Sequence, residues 1–515
     1  MNGANILCES LLANDVDVCF ANPGTSEMHF VAALDAKPRM RCVLGLFEGV
    51  VTGAADGYAR MADKPAATLL HLGPGLGNGL ANLHNARRAF TPMINIVGDH
   101  ATYHLKYDSA LTSDIDSLAR PMSQWVHRIR SANDVANATK QAYQAAVTMP
   151  GIATLILPAN AAWDEVDNVP ALRAEVPRPG RVNPSALRAA ATAIRGGRQV
   201  AVLLAGRATR AEGLAIADRL TQGFGVRVLV PTANARVERG RGRVPVTRVP
   251  HAPDAAMEVL RDVETLVLLG APEPVSFFAY PGKPSRLLDP NCEIVELAAQ
   301  GDDLLNALAQ LADEVGAPAK IKPTKGRATP DGAPHEFSGE AITLAISQML
   351  PENAIVCDEA VTSGRSFFAF SEEAAPHDYL QVTGGAIGIG FPMAVGAAVA
   401  CPDRKVIAMQ ADGSGMYTVQ GLWTQAREKL DIVTVVFSNR TYAILQNEMR
   451  NVGVDHYGQN AQRMLHLDNP SLDWVSIARG MGVEGGRATN MSEFTKLFRE
   501  ALSRREPFLI EAVLP

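Results

Sequence analysis

The stretch Val406-Ile-Ala-Met-Gln-Ala-Asp-Gly-Ser-Gly415 decides how the rest of the chain is read. An apolar run that ends in a small-residue turn is the pattern of a strand buried on both faces of a parallel sheet. Gly413 and Gly415 let backbone N–H groups approach an anion, and a helix starting near Met416 turns its positive end toward it. The next apolar run, Ile432-Val-Thr-Val-Val-Phe437, closes on Ser438-Asn-Arg-Thr441, so Asn439 follows Asp412 by 27 residues. That interval holds one helix and one strand. A right-handed crossover then sets both side-chain oxygens at neighbouring strand ends, facing one crevice. Hard oxygens there suit Mg2+, which commonly shares its shell with diphosphate and water. The same letters also make an ordinary turn, so the motif needs company.

It has company at the other end of the chain. An Ala/Gly helix, Gly53-Ala-Ala-Asp-Gly-Tyr-Ala-Arg60, leads to the strand Ala66-Ala-Thr-Leu-Leu70. A glycine loop follows at Gly73-Pro-Gly-Leu-Gly77, then a helix and a strand ending at Val97-Gly-Asp99. The last third repeats this layout of elements, with Gly396-Ala-Ala-Val-Ala400 before Val406–Met409, although not its letters. Both glycine loops then fall at the carboxyl ends of parallel sheets, where such sheets bind ligands. Two Pro- and Gly-rich stretches, Val176–Pro184 and Gly316–His335, read as connections. They divide the chain into 1–175, 184–315 and 336–515, each alternating apolar runs with helical patterns. The fold class expected is α/β, with three parallel-sheet domains.

Composition agrees and excludes other classes. The 515 residues are 47% hydrophobic and 20% charged, with Lys+Arg 48 against Asp+Glu 54 and a net charge of −6. That balance supports folded cores and offers no basic excess for a nucleic acid. No run is long and apolar enough for a membrane span, and the first residues lack a signal-peptide pattern. The six cysteines lack CxxC spacing, which fits reduced thiols and a cytoplasmic location.

Taken together, the motifs resemble thiamine diphosphate enzymes, the family of 2-oxo acid decarboxylases and acetolactate synthases. Asn22-Pro-Gly-Thr-Ser-Glu27, Glu48, Asp56-Gly-Tyr-Ala-Arg60, His71, Gly75-Leu-Gly-Asn78 and Pro92–Gly98 carry the resemblance in the first third. Gly384-Gly-Ala-Ile-Gly-Ile-Gly-Phe-Pro392 and the Asp412 and Asn439 turns carry it in the last. The pattern is most similar to benzoylformate decarboxylases. The resemblance implies a pyrimidine-binding domain over 1–175, a central domain over 184–315 and a diphosphate-binding domain over 336–515.

It also implies roles. Glu48 matches the glutamate that hydrogen-bonds the pyrimidine ring nitrogen and favours the imino tautomer of its amine, the base for the thiazolium C2 proton. Gly385 matches the carbonyl that receives that amine, and Ile387 the bulky residue that bends the cofactor. Asp412 and Asn439 match side-chain ligands of Mg2+, and Thr441 a backbone-carbonyl ligand. Gly413, Ser414 and Thr362 lie where the family contacts diphosphate. His71 matches the active-site histidine of benzoylformate decarboxylases, and Thr25 falls where those enzymes carry a serine. A histidine is a natural proton donor near neutral pH. Since the family builds each site from two subunits, a homodimer or homotetramer is implied, acting as a lyase or transferase on a small 2-oxo acid.

Some letters depart from the pattern. Ala411 and Ser438 replace a Gly and an Asn, and neither position supplies a ligand. Ala271–Tyr280 has no second histidine, while Ile444 and Glu448 make the pocket bulkier and more acidic. The middle third shows no clear flavin pattern, so FAD is not supported by the letters. The expected reaction is decarboxylation of a 2-oxo acid, with carboligation beside it. The alternatives are an acetolactate synthase-type transferase with or without FAD, a 2-hydroxyacyl-CoA lyase, and a non-catalytic cofactor-binding homologue.

Overall fold

The computed structural model describes residues 1–166, 169–330, 332 and 336–515, so the end of the connection read over Gly316–His335 lies partly outside the described residues. Three sheets organise the chain. The first contains β1 (Val18–Ala21), β2 (Arg41–Leu44), β3 (Ala66–Leu70), β4 (Met93–Asp99), β5 (Trp125–Arg128) and β6 (Ile152–Pro158). Its order is β2-β1-β3-β4-β6-β5, and every pair is parallel. All seven residues of β4 and of β6 are buried, which explains runs without polar alternation.

The second sheet takes β7 (Val200–Leu204), β8 (Arg227–Val230), β10 (Thr247–Arg248), β11 (Thr265–Leu269) and β12 (Glu293–Ala298) in the order β10-β8-β7-β11-β12. The short β9 (Val237–Arg239) leaves this stretch and joins the third sheet, antiparallel to β14 (His377–Gln381). The rest of the third sheet is β13 (Ala354–Glu359), β15 (Val406–Ala411), β16 (Ile432–Ser438), β17 (Glu484–Ala488) and β18 (Phe508–Val513). Its order is β17-β18-β16-β15-β13-β14-β9. The three parallel-dominated α/β sheets match the expected fold class, and the antiparallel edge is an addition that two or three residues of sequence do not announce.

Between the first and third sheets, helix Glu48–Ala62 lies against helix Gly390–Ala400. Glycine makes that approach feasible. A Cβ on Gly57 would stand 2.2 Å from the Met393 carbonyl oxygen, and one on Gly396 would stand 1.9 Å from that of Ala54. The Asp56-Gly-Tyr-Ala-Arg60 motif supplies the polar bond across the same junction. Arg60 pairs with Asp56 at 2.6 Å, both fully buried, and donates to the Gln381 carbonyl at 2.6 Å. Breaking such a pair strands a buried charge and is strongly destabilising. All six cysteines are free thiols. Among the described residues, no helix is long and apolar enough to cross a membrane.

Candidate functional site

The first half of the site lies at the carboxyl ends of β2, β1 and β3. Glu48 opens helix Glu48–Ala62, is 6% exposed, and accepts a hydrogen bond from Asn78 Nδ2 at 3.0 Å. A carboxylate in the first turn is favoured by the helix dipole. A Cβ on Gly75 would come within 3.2 Å of Glu48 Oε1, so the wall beside it is the first turn of helix Leu72–Arg88, where the sequence reads as a glycine loop. His71 follows β3, and its Nδ1 lies 2.8 Å from Oε2 of the buried Glu27. Glu27 also accepts from Gly24 N–H at 2.7 Å and from Ser26 Oγ at 2.5 Å. Thr25 is exposed at the start of this turn, and the hydroxyl beside His71 Nδ1, at 3.3 Å, is that of Ser26. The bond at Nδ1 selects the tautomer and leaves Nε2 for proton exchange.

Glu27 is thus a functional candidate that the sequence reading passed over. Its signal was present, as the last letter of Asn22–Glu27, three residues after the Gly24 whose N–H it accepts. Exchanging it tests the assembly. Glu27→Gln is expected to lower kcat by about 10²-fold, the lower end of what a positioned acid–base group contributes. Michaelis constants should hardly move, and the double variant with His71→Ala should be no slower than His71→Ala alone. Steady-state kinetics on the three variants decides it; independent, additive losses would separate the two residues.

The second half lies at the carboxyl ends of β13, β15 and β16, neighbours in the third sheet. Asp412 directly follows β15, opening the helical turn Asp412–Gly415, and is 3% exposed. Its Oδ2 accepts from Arg440 N–H at 2.7 Å and its Oδ1 from Gly413 N–H at 2.8 Å. Burial pushes its carboxyl above the usual range, and those backbone donors pull the other way. The turn after β16 therefore wraps Asp412. Within it, Asn439 Oδ1 accepts from Thr441 N–H at 3.1 Å. Thr441 Oγ1 donates to the Leu465 carbonyl at 2.8 Å, so this hydroxyl is engaged away from the Asp412 side. Ser414 Oγ accepts from Gln410 Nε2 at 2.7 Å. Thr362 lies in the turn after β13, its carbonyl accepting from Arg365 Nε at 3.1 Å.

The Gly384–Gly388 segment, with exposed Gly385 and half-buried Ile387, is where the domains converge. Helix Leu72–Arg88 holds it through His84 Nε2, 3.0 Å from the Gly384 carbonyl, and Asn85 Nδ2, which donates to the Ala386 carbonyl at 2.7 Å. Asn82 Nδ2 reaches both the Gly49 and Gly388 carbonyls, at 2.8 and 3.3 Å. From the central stretch, the Phe277 ring covers Gly385, and the His251 ring lies beside Phe277, tilted by 40° with ring centres 5.0 Å apart. His251 is a second histidine near this segment, reached from outside the Ala271–Tyr280 loop. Among the described residues, the side-chain partners of Glu48 are in its own domain and those of Asp412 in the third.

Family models match both halves. Residues 1–120 match "Thiamine pyrophosphate enzyme, N-terminal TPP binding domain", and residues 363–512 match "Thiamine pyrophosphate enzyme, C-terminal TPP binding domain". The chain belongs to the thiamine pyrophosphate enzyme family. Among relatives of this thiamine pyrophosphate enzyme is "Putative acetolactate synthase large subunit IlvX" of Mycobacterium tuberculosis, 49% identical across 100% of this chain and 99% of the relative. A benzoylformate decarboxylase of Pseudomonas aeruginosa is 30% identical over 98% of this chain and 97% of its own. In structure, the chain superposes on a thiamine diphosphate-dependent 4-hydroxybenzoylformate decarboxylase of Rhodococcus jostii RHA1 with a TM-score of 0.84. That likeness covers 100% of this chain and 99% of the other at 23% identity, and it speaks to the fold.

The residues fit the family's cofactor. The buried Asp412 carboxylate, the Asn439 amide oxygen and the Thr441 carbonyl would give a set of hard oxygens that a diphosphate-bound divalent ion would complete. Among the described residues no group of three or more His, Cys, Asp or Glu side chains is placed to hold a metal alone.

Proposed function

We propose that this thiamine diphosphate-dependent enzyme releases CO2 from a 2-oxo acid and uses Mg2+ to hold its cofactor. The observation that carries this reading is the division of labour between a buried Glu48 beside the Glu27–His71 pair and an Asp412–Asn439 turn at the ends of adjacent strands. Bound thiamine diphosphate supplies the electron sink for the bond to the leaving carboxylate. Glu48 holds the proton shared with the pyrimidine ring. Asp412, Asn439 and the Thr441 carbonyl would hold the ion, Ser414 and Thr362 would lie beside the diphosphate, and Ile387 with Gly385 would position the cofactor. His71 Nε2 delivers or removes a proton at the reacting carbon, its ring fixed through Nδ1 by Glu27. The test is CO2 release from a panel of 2-oxo acids before and after removal of cofactor and metal. Turnover that survives their removal refutes the assignment.

Condensation with a second carbonyl compound is a second reading, favoured by the name of the 49% identical relative. Beside Phe277, burial holds the His251 imidazole below its usual range while the Glu448 carboxylate opposes that shift, a polar setting for a carbonyl acceptor. Product analysis with pyruvate alone and with added aldehyde separates the two outcomes. Flavin is no part of the proposal. At the switch between β7 and β11, where an open sheet would seat a nucleotide, Gln300 hydrogen-bonds the Gly270 carbonyl and Leu304 packs against Gly270. The purified, fully active enzyme is expected to be colourless and to release no flavin on denaturation, as its visible absorption spectrum will show.

The active unit in this reading is a pair of chains. Leu46, two residues before Glu48, and Met416 and Tyr417, just past the Asp412 turn, are 45%, 39% and 53% exposed. Large apolar side chains flanking both halves are the rim a second copy would cover. A cytoplasmic location is part of the same proposal.

A further inference from the structure

The buried acid Glu359 has no part in the roles above, yet it bonds both the segment after Ile387 and the side chain that reaches Ser414. It ends β13 and is 1% exposed. Oε1 accepts from Gly388 N–H at 2.7 Å and Ile389 N–H at 3.1 Å. Oε2 accepts from Gly390 N–H at 2.8 Å and from Gln410 Nε2 at 2.9 Å. Three successive backbone donors at the start of helix Gly390–Ala400 form an anion cradle. Gln410 is the register partner of Glu359 across β13 and β15, and the same Nε2 reaches Ser414 Oγ at 2.7 Å. One carboxylate therefore links the turn that carries Gly385 and Ile387 to the loop that carries Asp412 and Ser414.

We propose that Glu359 is a positioning residue that registers the cofactor-bending turn against the diphosphate loop. This rests on the cofactor reading above and concerns this chain's own geometry. A buried carboxylate is costly unless its acceptor capacity is filled. Here four donors fill it, all from uncharged groups, and burial holds the carboxyl above its usual range. A neutral residue of the same shape cannot replace it. Glutamine carries two N–H donors, so in either orientation its NH2 would face backbone N–H groups donor to donor, those of Gly388 and Ile389 or that of Gly390. The acid is needed because only an acceptor on both oxygens satisfies the turn and the loop at once.

The test uses the full chain and two readouts. Calorimetric titration with thiamine diphosphate and Mg2+ should show Glu359→Gln weakening binding by about 10- to 100-fold, the usual effect of losing a partner that orients binding groups. Hydrogen exchange on the cofactor-free protein should show faster exchange at Gly388, Ile389 and Gly390, a signature independent of activity. Gln410→Met keeps the three backbone bonds and removes the side-chain donor to Glu359 together with its bridge to Ser414. It should fold, leave those three amides protected, and weaken binding by a smaller factor. If Glu359→Gln fails to fold, Glu359→Asp, which retains an acceptor-only carboxylate, should fold and bind more tightly than Gln410→Met. Variants that bind as wild type does, with those amides still protected, overturn the proposal. Wild type that binds no thiamine diphosphate overturns the cofactor reading instead, and the exchange result tells the two apart.

Discussion

Glu48→Gln is expected to slow turnover by about 10²- to 10⁴-fold, the range a positioned proton-transfer group contributes. The substitution keeps the shape of the side chain and an acceptor for Asn78, whose amide sits 3.0 Å from Oε2. What it removes is the exchangeable proton at the pyrimidine. Cofactor affinity should stay close to wild type, because in the proposed reading the diphosphate and its ion are held elsewhere, around Asp412. The discriminating measurement is the rate of C2 proton exchange on the bound cofactor, followed by NMR after acid quench. It should fall in step with kcat. Normal exchange with slow turnover would move Glu48 out of this role.

Asp412→Ala should fail differently, by losing the cofactor. A ligand present at a hundred times its dissociation constant stabilises a protein by about 2.7 kcal/mol. Wild type should show a rise in thermal midpoint of that origin with thiamine diphosphate and Mg2+, and Asp412→Ala none. Without cofactor the variant should be nearly as stable as wild type at neutral pH. It gives up hydrogen bonds from Arg440 and Gly413 but also sheds a buried charge. The sign follows from the raised carboxyl pKa: the folded state holds that proton more tightly than the unfolded state, so ionisation as pH rises works against the fold. Mixing the two inactive chains then asks where the site is completed. If Glu48 of one copy works with Asp412 of another, a mixed dimer regains one intact site and measurable turnover. If both act within one chain, mixing restores nothing.

Much of the fold was legible because buried parallel strands leave plain marks. Val406–Met409 and Ile432–Phe437 have no polar alternation, and both are central strands with every residue buried. The spacing from Asp412 to Asn439 placed two groups at adjacent strand ends, and β15 and β16 are paired. Less legible was anything that depends on pairing between distant segments. Strand β9 is three residues long and joins a sheet other than that of its sequence neighbours. No local pattern encodes such a pairing.

The candidate site divides along the same line. By itself the sequence determined the fold class, the family and the residue types at the turn ends, since a glycine turn after a buried strand constrains its chemistry within a few letters. Only the tertiary structure decided which acids act on which groups. Glu27 meets His71 across 44 residues, and Glu359 meets Gly388–Gly390 and Gln410 across 29 to 51. The reason is physical: a buried carboxylate is defined by the donors that surround it, and those donors are gathered by packing helices and strands far apart in the chain.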